Sequence, residues 1–163
     1  MGKIIAVANQ KGGVGKTTTS VNLAAALAVE EKKVLLVDAD PQGNATSGSG
    51  VPRKQTRKTL YNLLVLDETI ANVVVPTELP LLWVLPADKN LAGAEVELVD
   101  SQNREYKLKE LLGKVKDDYD YIIIDCPPSL GLLTINGLTA ANSLLVPIPV
   151  SYTHLTLPTK RIV

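Results

Sequence analysis

Residues 10–19, QKGGVGKTTT, set Lys11 and Lys16 five positions apart around Gly12, Gly13 and Gly15, with hydroxyls at Thr17 and Thr18. Glycine lets main-chain amides approach an anion closely, and the start of a helix adds unpaired N–H groups and the positive end of a dipole. Lys16 contributes a point charge, and the Thr17 hydroxyl is of the kind that ligates Mg²⁺ directly. Gly12, Gly13, Val14, Gly15, Lys16, Thr17 and Thr18 are therefore expected to cradle phosphate groups. One phosphate site needs one such lysine, which leaves Lys11 unexplained. Two other stretches end in acids: VLLVDADPQGNAT carries Asp38 and Asp40, and YIIIDCPPSLGLL carries Asp125. A carboxylate at the carboxyl end of a strand can orient an attacking water or engage a magnesium ion through its water shell. Asp125 is expected in the second role, through water, with Asp38 in a supporting part at the metal.

These groups meet only if strands deliver them to one edge. Four apolar runs, Lys3 to Ala8, Lys33 to Val37, Tyr121 to Ile124 and Leu144 to Ile148, are continuous rather than alternating, as in strands buried on both faces of a parallel sheet. Between them, Thr17 to Glu30, Leu91 to Asp100, Arg104 to Lys116 and Gly131 to Ala141 carry apolar residues at helical spacing. Strand and helix in alternation predict an α/β fold, a doubly wound and mostly parallel sheet with right-handed crossovers. Gly43 to Lys58, rich in Gly, Ser and Thr and then basic, reads as a surface loop. Trp83, in LLWVLPA, is expected on a core strand, and RKQTRK at 53–58 reads as a solvated charge run with DNA phosphate as the rival partner.

The 163 residues suit one domain, and 17 basic against 17 acidic side chains give no global field that would advertise nucleic acid. Cys126 is the sole cysteine, which excludes a disulfide framework and suits a reducing cytosol; it is expected to pack rather than react. No apolar run has the length of a membrane span.

The glycine loop departs from the standard P-loop, G-x-x-x-x-G-K-S/T, because Gln10 stands where its first glycine belongs. The form K-G-G-V-G-K-T-T, with an extra lysine at its head, is a deviant Walker A motif. Together with DPQGNAT, LAGAEVELV at 91–99 and DCPPSLGLLTINGLTA, it closely resembles the ParA/Soj family of chromosome- and plasmid-partitioning ATPases, relatives of the cell-division ATPase MinD. The resemblance implies a P-loop NTPase that binds ATP and Mg²⁺, hydrolyses ATP and forms a nucleotide-sandwich homodimer. In that family Lys16 serves its own nucleotide and Lys11 reaches the partner's phosphates, which would make Lys11 catalytic along with Lys16 and Asp40, the switch I carboxylate needed for hydrolysis. A cation delivered in trans ties hydrolysis to association, as arginine fingers do. The segment from Cys126 to Gly131 corresponds to switch II. Further implications are a ParB-like centromere-binding partner, non-specific DNA contacted mainly beyond this stretch, a cytoplasmic, nucleoid-associated location, and no stable membrane association. A MinD-like membrane-cycling ATPase is the alternative, and a nucleotide-binding fragment without turnover is another. A lone cysteine disfavours the iron–sulfur relatives.

The resemblance runs from residue 1 to about 148, expected to be a P-loop ATPase domain that is incomplete, since the family continues with further strands and helices. Residues 149–163, ending in VSYTHLTLPTKRIV, resemble no such continuation. They match instead a translated tagmentation adapter, and are expected to be a non-native tail without bearing on the fold. His154, the only histidine, falls within it.

Overall fold

The computed structural model describes residues 2–9, 15–52 and 58–148. Six strands form one sheet in the order β3-β4-β2-β5-β1-β6. They are β1 (Lys3–Val7), β2 (Val34–Asp38), β3 (Val75–Pro76), β4 (Leu82–Leu85), β5 (Tyr121–Asp125) and β6 (Ser143–Leu145). All pairings are parallel except β3 with β4, so a short antiparallel edge closes one side. The helices are α1 (Lys16–Val29), α2 (Asn44–Gly48), α3 (Leu60–Val65), α4 (Ala94–Glu97), α5 (Lys107–Gly113) and α6 (Leu132–Ala140).

Because successive strand residues point to opposite faces, each strand feeds two cores. Leu35, Val37, Ile122 and Ile124 pack against α3 through α6, with Leu64, Leu91, Leu108 and Leu133 among their neighbours. Val34, Leu36 and Ile123 face the other way, toward α1 and α2, through Ala24, Ala28 and Ala45. The doubly wound, mostly parallel sheet is the architecture predicted from the sequence. In α1 the deepest residues are Lys16, Ser20, Ala24 and Ala28, spaced by four, whereas Leu23 and Leu27 lie at the half-buried flank. Small side chains on the buried stripe let the helix lie close to β1 and β5.

Three expectations need correction. The stretch 43–58 is not wholly loop, since α2 occupies 44–48 with Ala45 and Thr46 buried. The helices expected over 91–100 and 104–116 are shorter: a 3₁₀ turn at Lys89–Gly93 leads into α4, and another at Arg104–Tyr106 precedes α5. The last strand is displaced toward the N-terminus, because Asn142 binds Ile4 through both its main chain and its side chain, Oδ1 accepting from the Ile4 N–H at 2.8 Å. Sequence reading left α3 unassigned; its signal was Thr59, an N-cap whose hydroxyl accepts from the Tyr61 N–H, with Asn62 completing a capping box. Trp83 lies on β4 as expected, half-buried and edge-on to Tyr119 with ring centres 5.9 Å apart.

Candidate nucleotide-binding site

Strands β1, β2 and β5 are neighbours in the parallel sheet, so their carboxyl ends lie side by side. Val7 is in register with Asp125, and Asp125 with Asp38. This is the edge where open α/β sheets place ligands. After β1 the chain turns into α1 through Gly15, whose φ of +76° is accessible to glycine at little cost. Lys11, Gly12, Gly13 and Val14 lie outside the described residues.

Asp125, fully buried at the end of β5, is where the site converges. Its Oδ1 is 3.1 Å from the Lys16 ammonium and accepts from the Ser20 hydroxyl at 2.7 Å, while its Oδ2 accepts from the Thr17 hydroxyl at 3.0 Å. Lys16 is itself only 7% exposed, so this is a buried ion pair compensated by two hydroxyl donors, the condition under which such a pair is tolerated. Lys16, Thr17 and Asp125, expected at the phosphates and the metal, are in direct contact with one another through the Asp125 carboxylate. Thr18 follows on α1 and is exposed. Sequence reading missed Ser20, although its position four residues after Lys16 on the same helical face was a usable signal.

Asp40 is 6% exposed, and its Oδ1 accepts from the Gln42 N–H at 3.0 Å while its carbonyl accepts from the Gly43 N–H, a turn closed around Pro41. Asp38 is fully buried. Its Oδ1 accepts from the Asp40 N–H at 3.1 Å, and its Oδ2 accepts from the Thr46 N–H at 2.8 Å and the Thr46 hydroxyl at 2.7 Å. Burial pushes the Asp38 carboxyl up to about 6, against the lowering effect of those hydrogen bonds.

Behind the loop after β5, Cys126 is buried between strand and α6, and desolvation, reinforced by the Asp125 charge, pushes its thiol up to about 12. That is packing, as expected, and not a nucleophile's environment. The loop re-enters α6 at Gly131, where Glu95 from α4 accepts the Leu133 N–H at 3.2 Å. Asn136 of α6, buried, accepts from the Leu108 N–H at 3.0 Å and donates to the Arg104 carbonyl at 2.9 Å. Helix α6 is thereby joined to α4 and to the start of α5 by polar contacts for which the sequence offered no spacing signal. Lys58, the described residue of the basic run, pairs with Glu68 at 2.6 Å.

The donor set suits a hard cation held lightly. Thr17 Oγ1 and one carboxylate oxygen of Asp125 face each other, and Mg²⁺ characteristically takes one or two protein oxygens while keeping water and phosphate ligands. At Asp38, as at Asp125, both oxygens accept from the chain's own donors. Among the described residues no group of three or more His, Cys, Asp or Glu could hold a metal by itself.

Comparison with known proteins shows the family of the chain. A family model described as an AAA domain matches residues 2–156. The sporulation initiation inhibitor protein Soj of Bacillus subtilis is 58% identical over 152 residues, 93% of this chain and 60% of its own. The chain belongs to the ParA/Soj family. The chromosome partitioning protein ParA of Myxococcus xanthus is 55% identical, over 93% of this chain and 54% of its own. Among solved structures, one named cobyrinic acid a,c-diamide synthase from Mycobacterium smegmatis, with bound ADP and magnesium, is 47% identical with a TM-score of 0.87 over 91% of this chain and 60% of its own. The cell division ATPase MinD of Pyrococcus furiosus is 31% identical with a TM-score of 0.77, over 90% of this chain and 59% of its own. The ParA/Soj chain described here thus spans about 60% of the length of these relatives. No helix among its described residues is long and apolar enough to cross a membrane.

Proposed function

We propose that the chain carries the nucleotide-binding and hydrolytic part of an ATP-dependent dimerising switch of the ParA/Soj type, acting in chromosome or plasmid partitioning. The observation that carries this reading is the Asp125 carboxylate held by Lys16, Thr17 and Ser20 at the entrance of α1. Phosphoryl transfer from ATP asks a protein for positioning and charge stabilisation rather than covalent chemistry. Lys16 and the amides of the glycine loop would hold the β- and γ-phosphates. Thr17, directly, and Asp125, through water, would hold Mg²⁺, which neutralises charge on the bridging phosphate oxygens. Asp40 would orient the attacking water, and Lys11 would stabilise the transferring group on the partner's nucleotide.

The structure solved with ADP and magnesium supports ATP and Mg²⁺ as ligands. Relatives named for chromosome partitioning, at 55% and 53% identity, support that process over the synthase named at 47% and over MinD at 31%. A ParB-like partner that stimulates turnover, and DNA bound without sequence preference, complete the proposal and place it on the nucleoid in the cytoplasm.

The test is ATP hydrolysis and ATP-dependent association, the latter by light scattering, for the wild type and for Lys11→Ala and Lys16→Ala. Lys16→Ala is expected to abolish nucleotide binding. Lys11→Ala is expected to keep binding and lose association-dependent turnover; if both association and hydrolysis survive, the trans role is wrong. Nucleotide binding without any wild-type turnover would favour the second reading, a binding portion whose hydrolysis needs the additional length its relatives have.

A further inference from the structure

We propose that Thr46 and Asp38 are positioning residues for Asp40, joined in a buried hydrogen-bond relay that fixes the Asp40 main chain and ties it to the turn after β4. The proposal rests on the reading of Asp40 as the carboxylate that orients water.

The direction of the relay follows from counting protons. The Thr46 hydroxyl has one, and at 2.7 Å it goes to Asp38 Oδ2, an oxygen that can only accept when ionised. The Ala87 N–H, 3.0 Å from the same hydroxyl, must therefore be received by a lone pair. Asp38 Oδ2 also takes the Thr46 N–H, and its Oδ1 takes the Asp40 N–H. One carboxylate thus clamps both ends of the segment 40–46, while Thr46 passes the constraint to Ala87. Thr46 and Asp38 are fully buried and Ala87 nearly so, and no buried side-chain polar atom among the described residues lacks a partner. Such a satisfied network is stiff, because breaking one member leaves groups unpaired in a low dielectric.

Asp38 ends β2 in register with Asp125, so its side chain starts from a backbone already fixed against the Lys16 cluster. The separation between Asp40 and that cluster is then set by the Asp38 carboxylate and its donors. A water-orienting group needs that placement held to a fraction of an ångström. Gly43, with φ of +68°, and α2 supply the reversal that brings Thr46 back to Asp38. Asp38 thereby acts on Asp40, a different task from metal ligation.

The decisive comparison is Thr46→Val, which keeps shape and removes the hydroxyl, against Thr46→Ser, which keeps the hydroxyl. Amide hydrogen exchange at Asp40 and Ala87, measured without nucleotide, is expected to quicken about tenfold in Thr46→Val and to stay within about threefold of wild type in Thr46→Ser. ATP turnover is expected to lose about tenfold in kcat in Thr46→Val with KM little changed, and to return in Thr46→Ser. Unchanged exchange at Asp40 in Thr46→Val overturns the relay. A rise in KM with kcat intact overturns its catalytic consequence. Wild type without turnover would sink the assignment of Asp40, while exchange would still decide the relay. Should Thr46→Val not fold, Asp38→Asn, which sets an amide donor among the relay's donors, is read by the same exchange measurement and decides it instead.

Discussion

The fit of α6 against β5 can be weighed with a pair of substitutions. A Cβ added at Gly137 would lie 2.6 Å from Cys126 Sγ and 3.3 Å from Ile124 Cγ2. Carbon and sulfur neighbours prefer separations of roughly 3.5–4 Å, so the methyl of Gly137→Ala intrudes by about 1 Å on the thiol. Overpacking of this kind costs about 1–3 kcal/mol. Alanine in a helix interior returns about 1 kcal/mol relative to glycine, which conceals part of the cost in the single variant. In a Cys126→Ala background the obstructing sulfur is gone, and Gly137→Ala should become neutral or stabilising. The expected coupling is about 1–3 kcal/mol, read from urea denaturation midpoints of the four proteins at constant m-value. Because Cys126 adjoins Asp125, the single variant should also bind nucleotide more weakly and the double variant should recover. Additivity within about 0.5 kcal/mol would refute the packing argument.

Two more outcomes follow from the same interior. With its thiol pushed up to about 12 and fully buried, Cys126 should resist iodoacetamide at pH 8, reacting at least about a thousandfold more slowly than in denaturant, as followed by mass spectrometry; rapid native alkylation would contradict its placement. Asp38, raised from 3.8 to about 6, takes up its proton more readily when folded, so its contribution is greatest below pH 4 and is lost as pH rises toward and through 6. Against Asp38→Asn, wild-type stability should therefore fall by up to about 3 kcal/mol between pH 4 and 7, and a pH-independent difference would show the shift to be absent.

Much of this was legible in advance, for a physical reason. Strands β1, β2 and β5 are buried on both faces, and such strands write themselves as unbroken apolar runs. The candidate residues at the site follow strand ends, which is why Lys16, Thr17 and Asp125 could be singled out from pattern, whereas the choice of Asp40 over Asp38 came from the family resemblance. Helix α2 was hidden because NATSG has little helical tendency of its own. It is held by the Asp38 carboxylate, a contact eight residues away in sequence that no periodicity encodes. The stretch 91–100 broke into two short pieces at Gly93, where the 3₁₀ turn ends and α4 begins. Glu95 at the start of α6 was invisible, since what it satisfies is an amide 38 residues further on.

The placement of β1 between β5 and β6 also sets a timetable. The glycine loop is made first, yet Lys16 meets Asp125 across a sequence separation of 109 and β1 gains both neighbours only from the last third of the described chain. At ribosomal rates of about 5–20 residues per second, the interval between making the lysine and making its carboxylate is roughly 5–20 s. Through that interval β1 is an apolar strand without partners, and α1 lacks the acid that anchors its first turn. A nascent chain of this fold is therefore dependent on shielding by the ribosome or a chaperone until β5 emerges, and pausing in translation before residue 121 should lower soluble yield more than pausing after residue 145.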